Sequence, residues 1–115
     1  MRVSSRIFVD ALRRRASAGG AFATIVRAGA DHGGAVFVQV RGPDAHALYV
    51  PAMAGLDREE APIDDRRFTL ALTGSEAEVE ERMRGELRFD PDLWWIEIED
   101  GEERPFLDPE SLRAQ

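Results

Sequence analysis

The 115-residue chain has no cysteine, no lysine and no asparagine, and only two histidines. Without cysteine there is no disulfide, no thiolate zinc site and no thiol nucleophile. Such a chain suits a reducing compartment. All fifteen basic residues are arginine in a sequence rich in alanine and glycine, a pattern that a GC-rich genome explains more simply than selection for phosphate. Long apolar runs are also missing. Ile7-Phe8-Val9 is interrupted by Asp10, too short for a secretory signal, and no stretch reaches the length that crosses a bilayer. The expectation is a cytoplasmic protein with no membrane partner.

What is present is enough for one core. A chain of this length buries roughly two thirds of its unfolded surface, so residues 1–115 are expected to form a single domain, with 105–115 a loosely packed tail. The net charge is -7 and unevenly placed. Residues 1–50 hold seven arginines against three aspartates, a balance of +4, and residues 51–115 hold eight arginines against nineteen acids, a balance of -11. Overall acidity disfavours non-specific contact with nucleic acid or anionic lipid.

Ser4 or Ser5 caps a first helix whose apolar side collects Ile7, Phe8, Ala11 and Leu12, with Arg2, Arg6 and Arg13 roughly opposite. Gly19-Gly20 ends it. Alternation then replaces helical spacing. Strands are expected over Phe22–Ala28, Ala35–Arg41 and His46–Val50, joined by turns at Gly29–Gly34 and Gly42-Pro43-Asp44 as an antiparallel meander. Ala54–Asp65 is a polar loop, and Arg66–Leu72 a fourth strand with Phe68, Leu70 and Leu72 on one side. Ser75 and Glu78 form a capping-box pattern ahead of a second helix, about Glu76–Arg88, with Val79, Met83 and Leu87 as its stripe and Glu78–Arg82 and Glu80–Arg84 as outer pairs. Asp90-Pro91-Asp92 breaks it before a last strand, Leu93–Glu99. The order α-β-β-β-β-α-β gives an α+β fold: a largely antiparallel sheet of about five strands with two helices.

The block Arg88-Phe89-Asp90-Pro91-Asp92-Leu93-Trp94, then Glu97-Ile98-Glu99-Asp100 and Phe106-Leu107, resembles the bacterial family catalogued as Domain of Unknown Function 1491. Gly34-Ala35-Val36-Phe37-Val38 and the apolar start of the first helix fit it as well. The resemblance implies a single bacterial domain of this length. It carries over no activity, cofactor or catalytic residue.

No residue is assigned a catalytic or metal-binding role, and no cofactor is expected. His32 and His46, with Asp31 and Asp44 nearby, lack the three or four converging ligands of a metal site. The acidic run Glu97, Glu99, Asp100, Glu102, Glu103 does not have the spacing of a calcium loop. Asp90 and Asp92 read as turn residues, Ser75 as a cap, and Gly29–Gly34, with no lysine and no helix after it, as a hairpin turn.

The sheet's second face carries the functional expectation. Alternation sends Ile25, Phe37, Tyr49, Leu93 and Trp95 to the side opposite Val36, Val38, Val40, Trp94, Ile96 and Ile98, provided no strand carries a bulge. Arg27, Gln39, Arg41, Arg67 and Thr69 are interleaved there. If both helices cover the first side, the second is a binding surface with Phe37, Tyr49 and Trp95 as apolar anchors and Arg41 and Arg67 as polar contacts. If one helix, the tail or the long loop covers it, that surface disappears. The leading function is a non-enzymatic protein-binding or accessory domain, its partner another protein or a second copy of itself as a homodimer. The alternatives are weak single-stranded nucleic-acid binding on the same face or by Arg2, Arg6 and Arg13, and a small hydrolase or metal-dependent enzyme around Asp90, Asp92 and the acidic turn that follows Glu99.

Overall fold

The computed structural model describes residues 3–52 and 66–113. The polar loop expected over 54–65, and Arg2, lie outside the described residues.

Helix α1 spans Ser5–Ala18. The Ser4 hydroxyl accepts the free Ile7 amide at 3.2 Å, and the helix closes at Gly19, with Gly20 at φ 88°. Its buried stripe is Ser5, Val9, Leu12 and Ala16. That stripe is turned from the expected one: Ile7 stays 58% exposed, and Ser5 takes a core position because its hydroxyl donates to the Gly34 carbonyl and accepts from Arg66. Hydrophobicity alone does not reveal a buried serine whose bonds are made by distant residues.

Strands β1 (Phe22–Arg27), β2 (Val36–Arg41), β3 (His46–Pro51) and β4 (Phe68–Gly74) follow. Helix α2 (Glu76–Phe89) starts on a complete capping box. The Ser75 hydroxyl accepts the Glu78 amide at 3.1 Å, and the Glu78 carboxylate accepts the Ser75 amide at 2.8 Å. With Glu78 so engaged, Arg82 pairs with Glu86 and Arg84 with Glu81 instead of the expected partners. Strand β5 (Trp94–Glu99) precedes a short 3-10 turn, Pro109–Ser111, and strand β6 (Leu112–Arg113).

The six strands lie in the order β1-β5-β2-β3-β4-β6. Strand β5 is antiparallel to β1 and parallel to β2, and β6 is parallel to β4. The sheet is therefore mixed and six-stranded, not a largely antiparallel one of about five strands. The β2-β3 and β3-β4 pairings are antiparallel, but β1 does not join a meander, because β5 separates it from β2.

Gly29–Gly34 is accordingly no hairpin turn but a crossing over the start of β5. A Cβ on Gly29 would collide with the Asp92 carbonyl oxygen and lie 2.5 Å from that of Leu93; one on Gly34 would lie 2.5 Å from the Asp92 oxygen. The crossing is sewn down by backbone and indole bonds: Ala30 N donates to Asp92 O at 2.9 Å, Trp94 N to Ala35 O at 2.7 Å, and Trp94 Nε1 to Ala30 O at 2.7 Å.

The helices cover opposite faces. Helix α1 packs over β1 and β5, with Val9, Leu12 and Ala16 against Val36, Val38, Trp94 and Ile96. Helix α2 packs over β3 and β4, with Val79 and Met83 against Phe37, Leu48 and Leu93. Leu107 is buried in the α1-side core with Phe106 packed against it, so the segment after β5 belongs to that layer. No helix among the described residues is long and apolar enough to cross a membrane.

Two bulges reassign side chains. In β4, Leu48 faces Leu72 and Tyr49 faces Leu70, leaving Ala71 without a partner. Leu72 thus joins the α2-side core while Phe68 stays on the α1 side. Val26 is skipped between the pairs Ile25–Ile96 and Arg27–Trp95 in β1.

The crossing yields a stability prediction. Gly29→Ala should lower stability by about 1–3 kcal/mol, the usual cost of forcing atoms into packed space. Gly33→Ala, where nothing lies within 4 Å of the added carbon, should be near neutral. Urea denaturation of the two variants makes the comparison.

Candidate interaction surface

Of the five residues expected to form one binding face, Phe37, Arg41 and Trp95 share the α2 side of the sheet, with Phe37 and Trp95 paired in register, while Tyr49 and Arg67 lie apart from them. Phe37 is 5% exposed, under α2. Tyr49 lies opposite Val38, on the α1 side of the sheet, packed against that core. Burial, and then the negative charge of Glu103, push its phenol above the usual range. Trp95 is half-buried at the margin of the α2-side core. Arg41 reaches Glu76 on α2 at 3.3 Å and Glu97 on β5 at 3.9 Å. Arg67 precedes β4 and lines a groove beside α1. Ile25, also expected on the second face, pairs with Ile96 and packs into the α1-side core. The condition on which the aromatic face depended, both helices on one side, is not met, since α2 covers much of the second face.

Beneath α2 the polar side chains form a closed chain. Trp95 Nε1 donates to Gln39 Oε1 at 2.9 Å, and Gln39 Nε2 lies 2.9 Å from His46 Nδ1. The indole can only donate, so it fixes the amide orientation. The amide nitrogen then donates to His46, whose Nδ1 is the acceptor. This accounts for a glutamine only 1% exposed in mid-strand and gives His46 a structural role.

What remains open is the first edge and its surroundings. On β1, Phe22 is 75% exposed and Val26 46%, and Thr24 lies between them in solvent. Phe22 and Thr24 pair with Glu99 and Glu97, so they share the face of Trp95. No charge appears in this strand before Arg27, whose guanidinium donates to Pro91 O at 2.8 Å. The opposite edge is only the two-residue β6. Sequence patterning did not single out Phe22, because a strand-initial aromatic looks like core until the position of its strand in the sheet is known.

A second concavity, of about 860 Å³, runs between α1 and the segment 106–111. Ile7, Phe8 and Ala11, the apolar side of α1 that does not enter the core stripe, form one wall, and Phe106 to Ser111 the other. The 106–111 wall is held by Arg104. Its guanidinium grips Asp100 with Nε at 2.8 Å and Nη2 at 3.0 Å, donates to Gly19 O at 3.0 Å, and stacks 4.7 Å above the Phe106 ring. Arg15 Nε donates to Phe106 O at 3.1 Å. These bonds sustain two non-glycine residues at positive φ, Glu103 at 61° and Phe106 at 58°.

Among the described residues no cluster of three or more His, Asp or Glu side chains is placed to hold a metal ion. Asp90 Oδ1 accepts the Asp92 amide at 3.0 Å, a turn bond.

A family model described as "Protein of unknown function (DUF1491)" matches residues 3–108. The fold is similar to the crystal structure of a DUF1491 family protein from Caulobacter crescentus, at 33% identity and a TM-score of 0.81, covering 98% of this chain and 99% of that one. It is also similar to the solution structure of protein Atu0922 from A. tumefaciens, at 39% identity and a TM-score of 0.82, covering 100% and 98%. No curated protein matches the chain.

Two measurements test the polar chain and the Arg104 anchor. Trp95→Phe should cost about 1–3 kcal/mol, because it leaves the buried Gln39 oxygen without its donor; chemical denaturation reads this. Asp100 is 6% exposed, and the hydrogen bonds from Arg104 hold its carboxyl down to about 2. Its contribution is complete above the ordinary aspartate range near 4 and is lost as pH falls through about 2. Asp100→Asn should therefore lower Tm at neutral pH and flatten the fall in Tm between about pH 4 and pH 2.

Proposed function

The chain belongs to the DUF1491 family, and we propose that it works as a non-enzymatic protein-binding domain that takes its partner along β1 and the open part of the sheet beside it. The observation that carries this reading is the outer edge of β1. Among the described residues its outward backbone groups have no strand to pair with, its Phe22 side chain stands in solvent, and before Arg27 it lacks the charged or proline residues that usually keep an edge from pairing. The bulge at Val26 leaves four regular positions, Phe22 to Ile25, for an added strand.

Strand addition supplies affinity through main-chain hydrogen bonds and specificity through alternate side chains. Here the alternate positions on the open face are Phe22 and Thr24, backed by Glu99, Glu97 and Trp95. A partner strand carrying an apolar residue and a basic one fits that row. The same carboxylates, with the net charge of -7, repel a phosphate backbone, so a protein strand is favoured over single-stranded nucleic acid. The partner is a second protein or a second copy of the chain offering its own β1.

Lysines at Phe22 and Val26 test the edge. Both positions are exposed, so Phe22→Lys and Val26→Lys should each change stability by about 0.5 kcal/mol or less. Sedimentation equilibrium and a nuclease-treated pull-down from host lysate should show self-association or partner capture falling at least about tenfold, some 1.4 kcal/mol. Capture that persists undiminished in both variants would remove the edge from the interface. Capture that nuclease abolishes would replace the reading with nucleic-acid binding.

A further inference from the structure

The open edge of β1 has two faces, and they carry opposite charge. On the α1 side, Ala23 and Ile25 pack against the core. Above them α1 turns one flank to the edge. Asp10, Arg13, Arg14 and Ser17 follow one another at helical spacing and, with Ala21, Phe22 and Ala23, line a recess of about 400 Å³. Arg13 and Arg14 are exposed, and neither makes an ion pair among the described residues. Asp10, the carboxylate of the lining, offsets one of these two charges.

The other face is acidic. Phe22 and Thr24 pair with Glu99 and Glu97. Glu99 is exposed and makes no ion pair among the described residues. Glu97 meets only the Arg41 guanidinium, at 3.9 Å, and Arg41 is shared with Glu76. Arg27, farther along the edge, is turned to the Pro91 carbonyl.

Side chains of a strand added to β1 alternate between these two faces, about 7 Å apart on each. Those on the α1 side stand beside the flank of Arg13 and Arg14. Those on the other side stand beside Phe22 and Thr24. Neighbouring strands lie about 5 Å apart, so β5 is about 10 Å from an added strand, a gap that a lysine and a glutamate side chain close together.

On the reading of β1 as a binding edge, we propose that its occupant is an extended segment of another protein whose side chains alternate in charge: acidic toward Arg13 and Arg14, basic or apolar toward Phe22, Glu97 and Glu99. The same charges disfavour a second copy of this chain. Two β1 strands paired antiparallel are related by a two-fold axis perpendicular to the sheet, so each face meets its own counterpart. The arginine flank of α1 would then lie beside a second arginine flank, and the row of Glu97 and Glu99 on the same side as a second acidic row.

Two isomeric peptides test the alternation. Acetyl-Gly-Lys-Glu-Val-Glu-Lys-Gly-amide presents both glutamates on one side and both lysines with the valine on the other. Its isomer with the central order Lys-Lys-Val-Glu-Glu has the same composition and net charge but puts one of each sign on each side. Titrated into the ¹⁵N-labelled full chain, the alternating peptide should bind with Kd of about 1 mM or tighter, with amide shifts in β1, in residues 10–17 and in 97–99. The isomer should bind at least about fivefold more weakly, the sum of several modest exposed ion pairs. Arg13→Glu combined with Arg14→Glu, at two exposed positions, should weaken the alternating peptide at least about tenfold. Undiminished binding to that double variant would overturn the proposal. Equal affinity for the two peptides, both mapping to β1, would overturn it and leave the edge itself standing. No shift in β1 with either peptide up to about 10 mM would overturn it as well, and the edge is then judged by Phe22→Lys and Val26→Lys alone. Wild-type self-association that Val26→Lys abolishes would replace the foreign segment with a second copy.

Discussion

Between Arg27 and Val36 the chain passes the start of β5 at backbone contact distance, and the rest of the fold depends on that crossing. Only residues without a Cβ fit where Gly29 and Gly34 meet the carbonyls of Asp92 and Leu93. With the crossing in place, β5 can lie between two strands that are near neighbours in sequence. One antiparallel and one parallel pairing then put Trp94, Ile96 and Ile98 at the centre of the sheet. Trp94 locks the arrangement from below, as its indole N–H holds the loop's Ala30 carbonyl and Arg6 lies over its ring.

The placement of β5 also decides which surfaces are free. Because β5 takes the inner position, β1 is pushed to the edge, and its outward groups face solvent. Because α1 and α2 then cover opposite faces at opposite ends of the sheet, neither reaches the second face beside β1. The segment after β5 is drawn back to α1 by Arg104 and Arg15, which makes the far wall of the groove. One topological choice thus produces both the open edge and the arginine-lined cleft.

Local signals in the chain were read reliably where a few adjacent residues settle the matter. The Ser75–Glu78 capping box, the Ser4 cap, the alternation of Val36 to Val40 and the Asp90–Asp92 turn all act within one turn or one strand, and all stand as expected. Expectations that depended on long-range geometry fared differently. The Phe68-Leu70-Leu72 side is split by the Ala71 bulge, which leaves no mark in composition. Phe37, Tyr49 and Trp95 were grouped by counting in twos; they are instead divided between two faces and two depths.

By itself the sequence determined that the chain is a single α+β unit with two helices, where nearly every element begins and ends, and that no cysteine chemistry is available. These follow from periodicity, caps and composition, which are properties of neighbouring residues. Only the tertiary structure decided the neighbours of β5, the assignment of one helix to each face and the burial of Gln39 between Trp95 and His46. Those depend on which distant backbones touch. In this chain that was set by two glycines whose importance lies in the atoms they lack.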